Sequence, residues 1–436
     1  MKVLVIGAAL SGIAVSKLMA ARGEQVWLTD MKPVKEREEL ESLGIRVFDG
    51  GHPDFLKEMD WDLIIKNPGI KYSVPFVKYF VDKGYKMYNE IEIALRDHPE
   101  IRYLAITGTN GKTTTTTMLG EMLKKLNPAN VACGNVGLPV SEVVMDRDTD
   151  NLTLAIEIAG FQLLGCYSFH PLASVIMNLT PDHVDYFGTV DAYYKSKTLV
   201  YQNQNEDDFF IMNVDDENVR EYCKNVPCQI ITLSLVRTDT DLHVADRKAW
   251  FRDIELFSLD KFRLPGMHNV QNALVAGCMA FLAGVKPEDI RDFLETFMGV
   301  EHRIEYVAEI DGVRYYNDSK GTNVDSTIMA LKAFDCPVRL LVGGYDKKTG
   351  FADLKPYVGN VKKMYAFGNT KEQFIPLGCS IELFDNMEQA LNKAHEEARE
   401  GEVVLLSPAC ASWDQFPNYE VRGKLFKQQV HHFEDN

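Results

Sequence analysis

The chain has 436 residues, of which 46% are hydrophobic, and a formal net charge of −16 at pH 7. This length suits two to four domains with their own cores, and the acidic balance argues against nucleic acid as a standing partner. Eight scattered cysteines without a Cys-x-x-Cys pair, a predicted strand in place of a signal peptide, and no apolar run long enough to cross a bilayer predict a cytoplasmic protein.

The first hundred residues alternate predicted strands and helices, which is typical of a doubly wound α/β fold. The strands are predicted at Lys2–Ile6, Gln25–Thr29, Ile45–Phe48 and Leu63–Lys66. The α/β pattern begins again near Arg102 and once more near Val300. We therefore expect an α/β protein of three domains: a Rossmann-like domain at 1–95, a central domain with a mostly parallel sheet at 96–299, and a Rossmann-like α/β domain at 300–436.

A glycine turn, Gly7–Gly12, follows the first strand but departs from the Gly-x-Gly-x-x-Gly pattern, because Ala9 replaces the middle glycine. That glycine lets a pyrophosphate approach the backbone. A single nucleotide or a UDP-type diphosphate is therefore favoured over a dinucleotide, and a structural turn without a ligand is the alternative. Asp30, at the end of the second strand, has the usual position of a carboxylate that binds a ribose or a base.

Residues 104–114, with the sequence LAITGTNGKTT, predict a strand, a glycine turn and the start of a helix. This order predicts a phosphate-binding loop, in which Lys112 reaches the outer phosphates and Thr113 can hold Mg²⁺. Ile106 stands where such loops usually have a glycine, so a plain glycine-rich turn is the alternative.

Two further side chains suggest a metal site behind this loop. Glu157 follows the predicted strand Leu152–Ile156, and His183 comes soon after the predicted strand Ala173–Met177. Alone, either residue is more often structural, but both are expected at the edge of the sheet where α/β folds bind ligands. The pair therefore favours Mg²⁺ coordination.

The third unit contributes two polar segments. Asn317–Asn323 is too polar for a core, and Leu405–Phe416 runs from a predicted strand into a loop in which Ser412 can donate a hydrogen bond. Cys410 could be read as a nucleophile, but no histidine lies nearby in the sequence and small buried cysteines are common.

These motifs together resemble the Mur ligases of peptidoglycan synthesis. The resemblance is carried by Gly108–Thr113, Glu157, Asp182–Asp185, Met267–Asn272, Glu301–Arg303 and Asn317–Lys320, and by the C-terminal segments 317–323, 343–347 and 407–416. It extends over the whole chain and implies a central domain of P-loop ATPase type. Within the family, the C-terminal segments resemble those of the branch that adds D-glutamate to UDP-N-acetylmuramoyl-L-alanine.

The resemblance implies an ATP-dependent amide ligase that acts through an acyl phosphate, with ATP, two Mg²⁺ ions and a carbamylated Lys197. The implied catalytic set is Lys112, Glu157, His183, Lys197 and Lys320, with Thr113, Glu157 and His183 at the metal. The implied nucleotide contacts are Gly108, Thr109, Asn110, Gly111, Lys112, Thr113, Thr114, Asn269, Asn272, Arg303 and Asp318. The implied substrate contacts are Leu10, Ser11, Asp30, Asn67, Gly69 and Asn135 for the UDP-muramoyl part, and Thr322, Lys347, Ser412 and Tyr419 for D-glutamate. The family also implies a monomer.

The chain departs from the family pattern at a few positions. Ala159 and Gly160 replace two serines, and Tyr419 replaces a common phenylalanine. These changes bear on substrate affinity and leave the phosphate and metal groups intact. The alternatives are a related ligase that adds L-alanine, a diamino acid or glutamate to folate, and a nucleotide-binding protein without turnover.

Overall fold

Three β-sheets organise the chain in a computed structural model that describes residues 1–345 and 350–434. The chain divides into two compact units. One comprises Met1–Asp260 and Gln271–Leu294, and the other comprises Lys261–Val270 and Glu295–Asn436. None of the helices in the described part of the chain is both long and apolar enough to span a membrane.

The first sheet is entirely parallel, with strand order β3-β2-β1-β4-β5. Its elements are β1 (Lys2–Ile6), α1 (Leu10–Ala21), β2 (Gln25–Thr29), α2 (Arg37–Ser42), β3 (Arg46–Phe48), α3 (Phe55–Glu58), β4 (Leu63–Lys66), α4 (Pro75–Asp82), β5 (Met87–Tyr88) and α5 (Glu90–Arg96). Apolar clusters cover both faces. The order reverses between β1 and β4, and a crevice at such a point is where open α/β sheets bind ligands.

The second sheet has nine strands in the order β14-β13-β12-β11-β10-β9-β6-β8-β7. Its strands are β6 (Arg102–Thr107), β7 (Val131–Gly134), β8 (Thr153–Glu157), β9 (Ala173–Ile176), β10 (Phe209–Asn213), β11 (Gln229–Leu233), β12 (Leu242–Ala245), β13 (Lys248–Phe251) and β14 (Ile254–Ser258). Its helices are α6 (Lys112–Leu123), α7 (Val140–Asp146), α8 (Gly160–Leu163), α9 (Val184–Phe187), α10 (Val190–Thr198), a 3₁₀ turn (Leu199–Tyr201), α11 (Glu217–Tyr222), α12 (Met267–Ala283) and α13 (Pro287–Thr296).

The sheet is parallel from β7 to β12, as predicted, and only the last three strands pair in antiparallel fashion. Its core takes in Leu18, Ile91 and Ala94 from the first hundred residues. The first two sheets are therefore joined by a shared apolar cluster within one compact unit.

The third sheet has the order β15-β16-β20-β17-β18-β19, with an antiparallel hairpin at one edge and parallel pairing elsewhere. Its elements are β15 (Glu305–Ile310), β16 (Val313–Asn317), α14 (Val324–Leu331), β17 (Val338–Gly343), a 3₁₀ helix (Ala352–Tyr357), β18 (Val361–Phe367), a 3₁₀ helix (Gly368–Leu377), β19 (Ile381–Phe384), α15 (Met387–Glu397), β20 (Val403–Leu406) and α16 (Tyr419–Glu434). The predicted three α/β sheets are confirmed.

Candidate active site

The predicted phosphate loop lies between β6 and α6. Gly108 and Gly111 have φ angles of 134° and 85°, a region that L side chains rarely adopt. A Cβ atom at Gly111 would overlap the side-chain oxygen of Asn272, so this predicted nucleotide residue lies directly against the loop. Thr113 and Thr114 are half-buried in the first turn of α6. The N–H groups at the start of a helix suit an anion.

Asn178, whose role the sequence did not reveal, fixes the loop from the end of β9. Its carbonyl accepts the N–H of Thr109 at 3.0 Å, and its side-chain oxygen accepts the N–H of Asn110 at 2.8 Å. The hydroxyl of Thr109 also donates to the carbonyl of Thr180 at 3.0 Å. These contacts hold the backbone of the loop in its shape before any phosphate binds.

Two lysines converge on one carbonyl of the loop. The ammonium of Lys112 lies 3.0 Å from the carbonyl oxygen of Gly108, and the Nζ of Lys197 lies 2.8 Å from the same oxygen. Lys197 is only 2% exposed and its Nζ lies 4.5 Å from the ring centroid of Tyr193. Burial, assisted by the charge of Lys112, lowers the pKa of Lys197 to about 7. A lysine on a helix is usually a solvated charge, so tertiary packing alone distinguishes this one.

Glu157 ends β8 and is buried. One of its carboxylate oxygens accepts the side-chain N–H of Asn135 at 2.9 Å, while the other is buried without a protein partner. A buried carboxylate oxygen of this kind is costly unless it binds something. Its hard oxygen chemistry fits Mg²⁺. Asn135, predicted at the muramoyl substrate, is thus placed beside the predicted metal ligand.

His183 precedes α9 with a left-handed φ of 47°. Its ring makes edge contacts with Phe161 and Tyr193 at centroid distances of 5.8 and 5.9 Å, and nearly half of its side chain is exposed. The Tyr193 ring therefore contacts both the imidazole of His183 and the Nζ of Lys197. Within residues 1–345 and 350–434, no three His, Cys, Asp or Glu side chains are grouped closely enough to hold a metal ion.

The predicted UDP residues meet at the carboxyl edge of the first sheet. The hydroxyl of Ser11 accepts a side-chain N–H of Asn67 at 3.2 Å, and the other end of that amide accepts the N–H of Gly69 at 3.1 Å. The carboxylate of Asp30 accepts the backbone N–H of Ala8 at 2.6 Å. Leu10 is 60% exposed at the start of α1, and is available for contact with a ligand.

In the second unit, the polar segment after β16 is anchored from two sides. Asp318 is buried and accepts the hydroxyl of Ser407 at 2.7 Å. Burial raises the pKa of the Asp318 carboxyl to about 7. The exposed Lys320 donates its backbone N–H to the carbonyl of His302 at 3.0 Å, and the N–H of Thr322 lies 2.8 Å from the carbonyl of Lys320.

Arg422, which the sequence did not single out, braces this segment against the loop after β20. Its guanidinium donates to the carbonyls of Ser319 and Cys410 at 2.8 and 3.1 Å. Burial lowers the pKa of Arg422 to about 10. Ser412 is buried in the braced loop, and the carbonyl of Tyr419 accepts the hydroxyl of Ser319 at 2.8 Å. The predicted D-glutamate residues Ser412 and Tyr419 thus belong to one braced region.

The remaining predicted residues differ in their surroundings. Asn269 donates its side-chain N–H to the carbonyl of Pro265 at 2.7 Å, and Arg303 is exposed beside the buried Asp318. The thiol of Cys410 is buried and lies 3.3 Å from the hydroxyl of Thr370. Lys347, predicted to contact D-glutamate, lies outside the described residues.

Over nearly its whole length the chain is similar to relatives named UDP-N-acetylmuramoylalanine–D-glutamate ligase. It is 42% identical to the one from Geobacillus kaustophilus over 440 residues, covering 99% of this chain and 97% of the relative. It is 39% identical to the one from Bacillus subtilis over 438 residues, covering 98% and 97%.

Two domain families and several solved structures also match. Residues 106–280 match the Mur ligase middle domain, and residues 302–410 match the glutamate ligase domain of Mur ligases. The crystal structure of the UDP-N-acetylmuramate-alanine ligase from Thermotoga maritima aligns over 99% of both chains, with a TM-score of 0.55 and 17% sequence identity. At that identity the likeness shows the shared three-domain α/β fold alone.

Proposed function

The chain belongs to the Mur ligase family, and from this we infer that it joins D-glutamate to UDP-N-acetylmuramoyl-L-alanine in an ATP-dependent reaction of peptidoglycan precursor synthesis. It is a ligase that forms an amide bond and produces ADP and phosphate. The observation that carries this conclusion is the full-length identity of 42% to a relative of that name.

Catalysis rests on charge neutralisation and alignment rather than on a protein nucleophile. The carboxylate of the acceptor takes the γ-phosphoryl group of ATP, and the amine of D-glutamate then displaces phosphate from the acyl phosphate. The α6 N-terminus and Lys112 bind and orient the phosphates, and Lys320 supplies positive charge near the transferred group. Asn178 holds the loop in shape throughout, so little reorganisation is needed at the reacting centre.

Family membership implies Mg²⁺ together with ATP, and the unpartnered carboxylate oxygen of Glu157 fits that ion. Glu157, His183 and the hydroxyl of Thr113 would hold two ions. Bound Mg²⁺ would neutralise phosphate charge as it develops. Asn135 orients the Glu157 carboxylate from the side on which the muramoyl substrate is expected.

A carbamylated Lys197 is part of the proposal. The neutral Nζ attacks the carbon of CO₂, and an N–C bond forms as the electron pair of one C=O π bond moves onto oxygen. An N–H proton then leaves to solvent, so the group becomes a −1 carbamate. A pKa lowered to about 7 leaves much of the amine neutral at physiological pH. An ammonium beside Mg²⁺ would repel the ion, whereas a carbamate adds an oxygen acceptor to its surroundings.

The two ends of the substrate set are expected to bind in separate regions of the chain. The UDP end belongs to Leu10, Ser11, Asp30, Asn67 and Gly69, and D-glutamate belongs to the region of Thr322, Lys347, Ser412 and Tyr419. The nucleotide is further contacted by Asn269, Asn272, Arg303 and Asp318. We further propose domains at 1–95, 96–299 and 300–436, a monomeric state and a cytoplasmic location.

Phosphate release from ATP tests the function directly. We expect release only when D-glutamate and UDP-N-acetylmuramoyl-L-alanine are both present, with one amide formed per phosphate. Turnover with L-alanine or a diamino acid in place of D-glutamate would indicate a related ligase. Nucleotide binding without turnover under any combination of substrates would indicate a regulatory protein.

A further inference from the structure

Lys66 is a buried cation at the end of β4 and is only 3% exposed. Its Nζ donates to the backbone carbonyls of Ile70 at 2.6 Å, Asn67 at 3.0 Å and Pro68 at 3.4 Å. It also lies 4.7 Å from the ring centroid of Tyr72. One ammonium therefore donates hydrogen bonds to three carbonyls of a single tight turn, residues 67–70.

Tyr186, from the part of the chain that forms the second sheet, contacts the same turn. It lies on the short helix α9, and its hydroxyl is 3.0 Å from the carbonyl oxygen of Pro68 and 3.2 Å from that of Ile70. The Nζ of Lys66 lies 3.4 Å from this hydroxyl. Both residues belong to the same compact unit. We call Lys66 and Tyr186 together the turn tie.

Burying the two polar side chains of the turn tie costs free energy. Burial lowers the pKa of Lys66 to about 8, which reflects the cost of removing an ammonium from water. Burial also raises the pKa of Tyr186 to about 12. Carbonyl oxygens satisfy these donors, and hydrogen bonds to a charged group are stronger than neutral ones. A methionine could fill a similar volume but could not donate to the three carbonyls, so it is the ammonium that holds the turn in this shape.

The turn itself carries two predicted substrate contacts, Asn67 and Gly69. The other end of the turn tie leads towards the metal region, because Tyr186 packs against Phe161 at a centroid distance of 5.8 Å and Phe161 packs against His183 at the same distance. His183 immediately precedes α9. The turn tie thus joins the turn expected to bind the UDP end to the segment expected to bind Mg²⁺.

We propose that Lys66 and Tyr186 are positioning residues that preorganise residues 67–70 for the uridine diphosphate end of the acceptor. This inference rests on the proposed function. Neither residue takes part in the chemistry. A turn already held in its bound shape loses less conformational entropy when the ligand binds, which raises affinity without changing the chemical step.

Tyr186→Phe is the sharpest test, because it removes one hydroxyl and keeps the aromatic packing. Calorimetry should show UDP-N-acetylmuramoyl-L-alanine binding about fivefold more weakly. The KM for ATP and the kcat at saturating acceptor should stay within about twofold, which is the signature of lost uniform binding. Lys66→Met should weaken acceptor binding at least as much.

Tyr79→Phe is a matched control, since the Tyr79 hydroxyl is also half-buried and donates to a backbone carbonyl, that of Lys57, at 2.9 Å. It should leave acceptor affinity unchanged. The double variant Lys66→Met/Tyr186→Phe should be no more than about twofold worse than the poorer single variant, because both residues act on one turn.

An acceptor affinity within twofold of wild type for Tyr186→Phe would overturn the inference and leave the proposed function standing. An equal loss of ATP and acceptor affinity would also overturn it, since the effect would then be a general loss of structure. If Lys66→Met fails to fold, Tyr186→Phe still decides the matter. A wild-type protein that binds no acceptor would overturn the proposed function and this inference together.

Discussion

The turn after β1 and the loop after β6 have the same strand–glycine–helix order but opposite electrostatic character. After β1, the carboxylate of Asp30 accepts a hydrogen bond from the backbone N–H of Ala8. After β6, the nitrogens of Lys112 and Lys197 approach the carbonyl of Gly108, and a neutral residue, Asn178, holds the backbone N–H groups. The first turn presents the negative charge of Asp30 and the second presents the positive charge of Lys112.

A glycine turn by itself therefore says little about the ligand that it binds. The neighbouring strand ends decide whether an anion or a hydrogen-bond donor will be favoured. A carboxylate beside the turn after β1 suits the hydroxyl and N–H donors of a nucleoside. The ammonium of Lys112 beside the loop after β6 suits the phosphates of ATP.

The largest effect is expected from Lys112→Met in the loop after β6. Removing this charge should lower kcat by about 10²- to 10³-fold, because the transferred phosphoryl group loses electrostatic stabilisation. Lys17→Met serves as the control on α1, where the lysine pairs with Glu39 at 2.5 Å on the surface. A Lys112→Met enzyme with more than half the wild-type turnover would remove this lysine from the mechanism.

Lys197 and Lys195 lie on the same helix, α10, but differ in burial, so their alanine variants should differ in activity. Lys197→Ala should lose about 10- to 100-fold in turnover, and acetate should restore part of it by replacing the lost carboxylate-like group. Lys195 is 67% exposed and pairs with Asp191 at 2.9 Å, so Lys195→Ala should remain active. Mass spectrometry in bicarbonate buffer should detect the carbamate on Lys197. A fully active Lys197→Ala enzyme would contradict the carbamate hypothesis.

Asp30→Asn probes the turn after β1. The variant should raise the KM for UDP-N-acetylmuramoyl-L-alanine about tenfold, since a charged acceptor becomes neutral. The KM for ATP should not change. If the KM for ATP rises instead, the two turns do not serve separate ligands as proposed.

The last prediction concerns stability and pH, and does not involve turnover. The pKa of Lys197 is about 7 in the folded protein and near its ordinary value of 10.5 when unfolded. Between these values the unfolded state binds more protons, so the free energy of unfolding should rise with pH. Wild type and Lys197→Met should therefore be denatured in CO₂-free buffer at several pH values. From pH 7 to 10 the free energy of unfolding of wild type should rise relative to that of the variant. A constant difference would contradict the lowered pKa.

Much of the first two sheets followed from local sequence pattern. The predicted strands Lys2–Ile6 and Gln25–Thr29 match β1 and β2, while Ile45, Leu152 and Met177 fall just outside β3, β8 and β9. The antiparallel strands β13 and β14 were not predicted. Short runs of apolar residues reveal a strand, but its partner and direction depend on residues far along the chain.

Local patterns in the sequence were enough to predict the α/β class, the first strands with their glycine turns, and the family, because glycine turns, apolar periodicity and short motifs are local properties. Only the packing of distant segments shows that Lys197 is buried, that Asn178 holds the predicted phosphate loop, and that Lys66 and Tyr186 meet at one turn. Burial and long-range hydrogen bonds depend on which distant segments pack together, and no single segment contains that information.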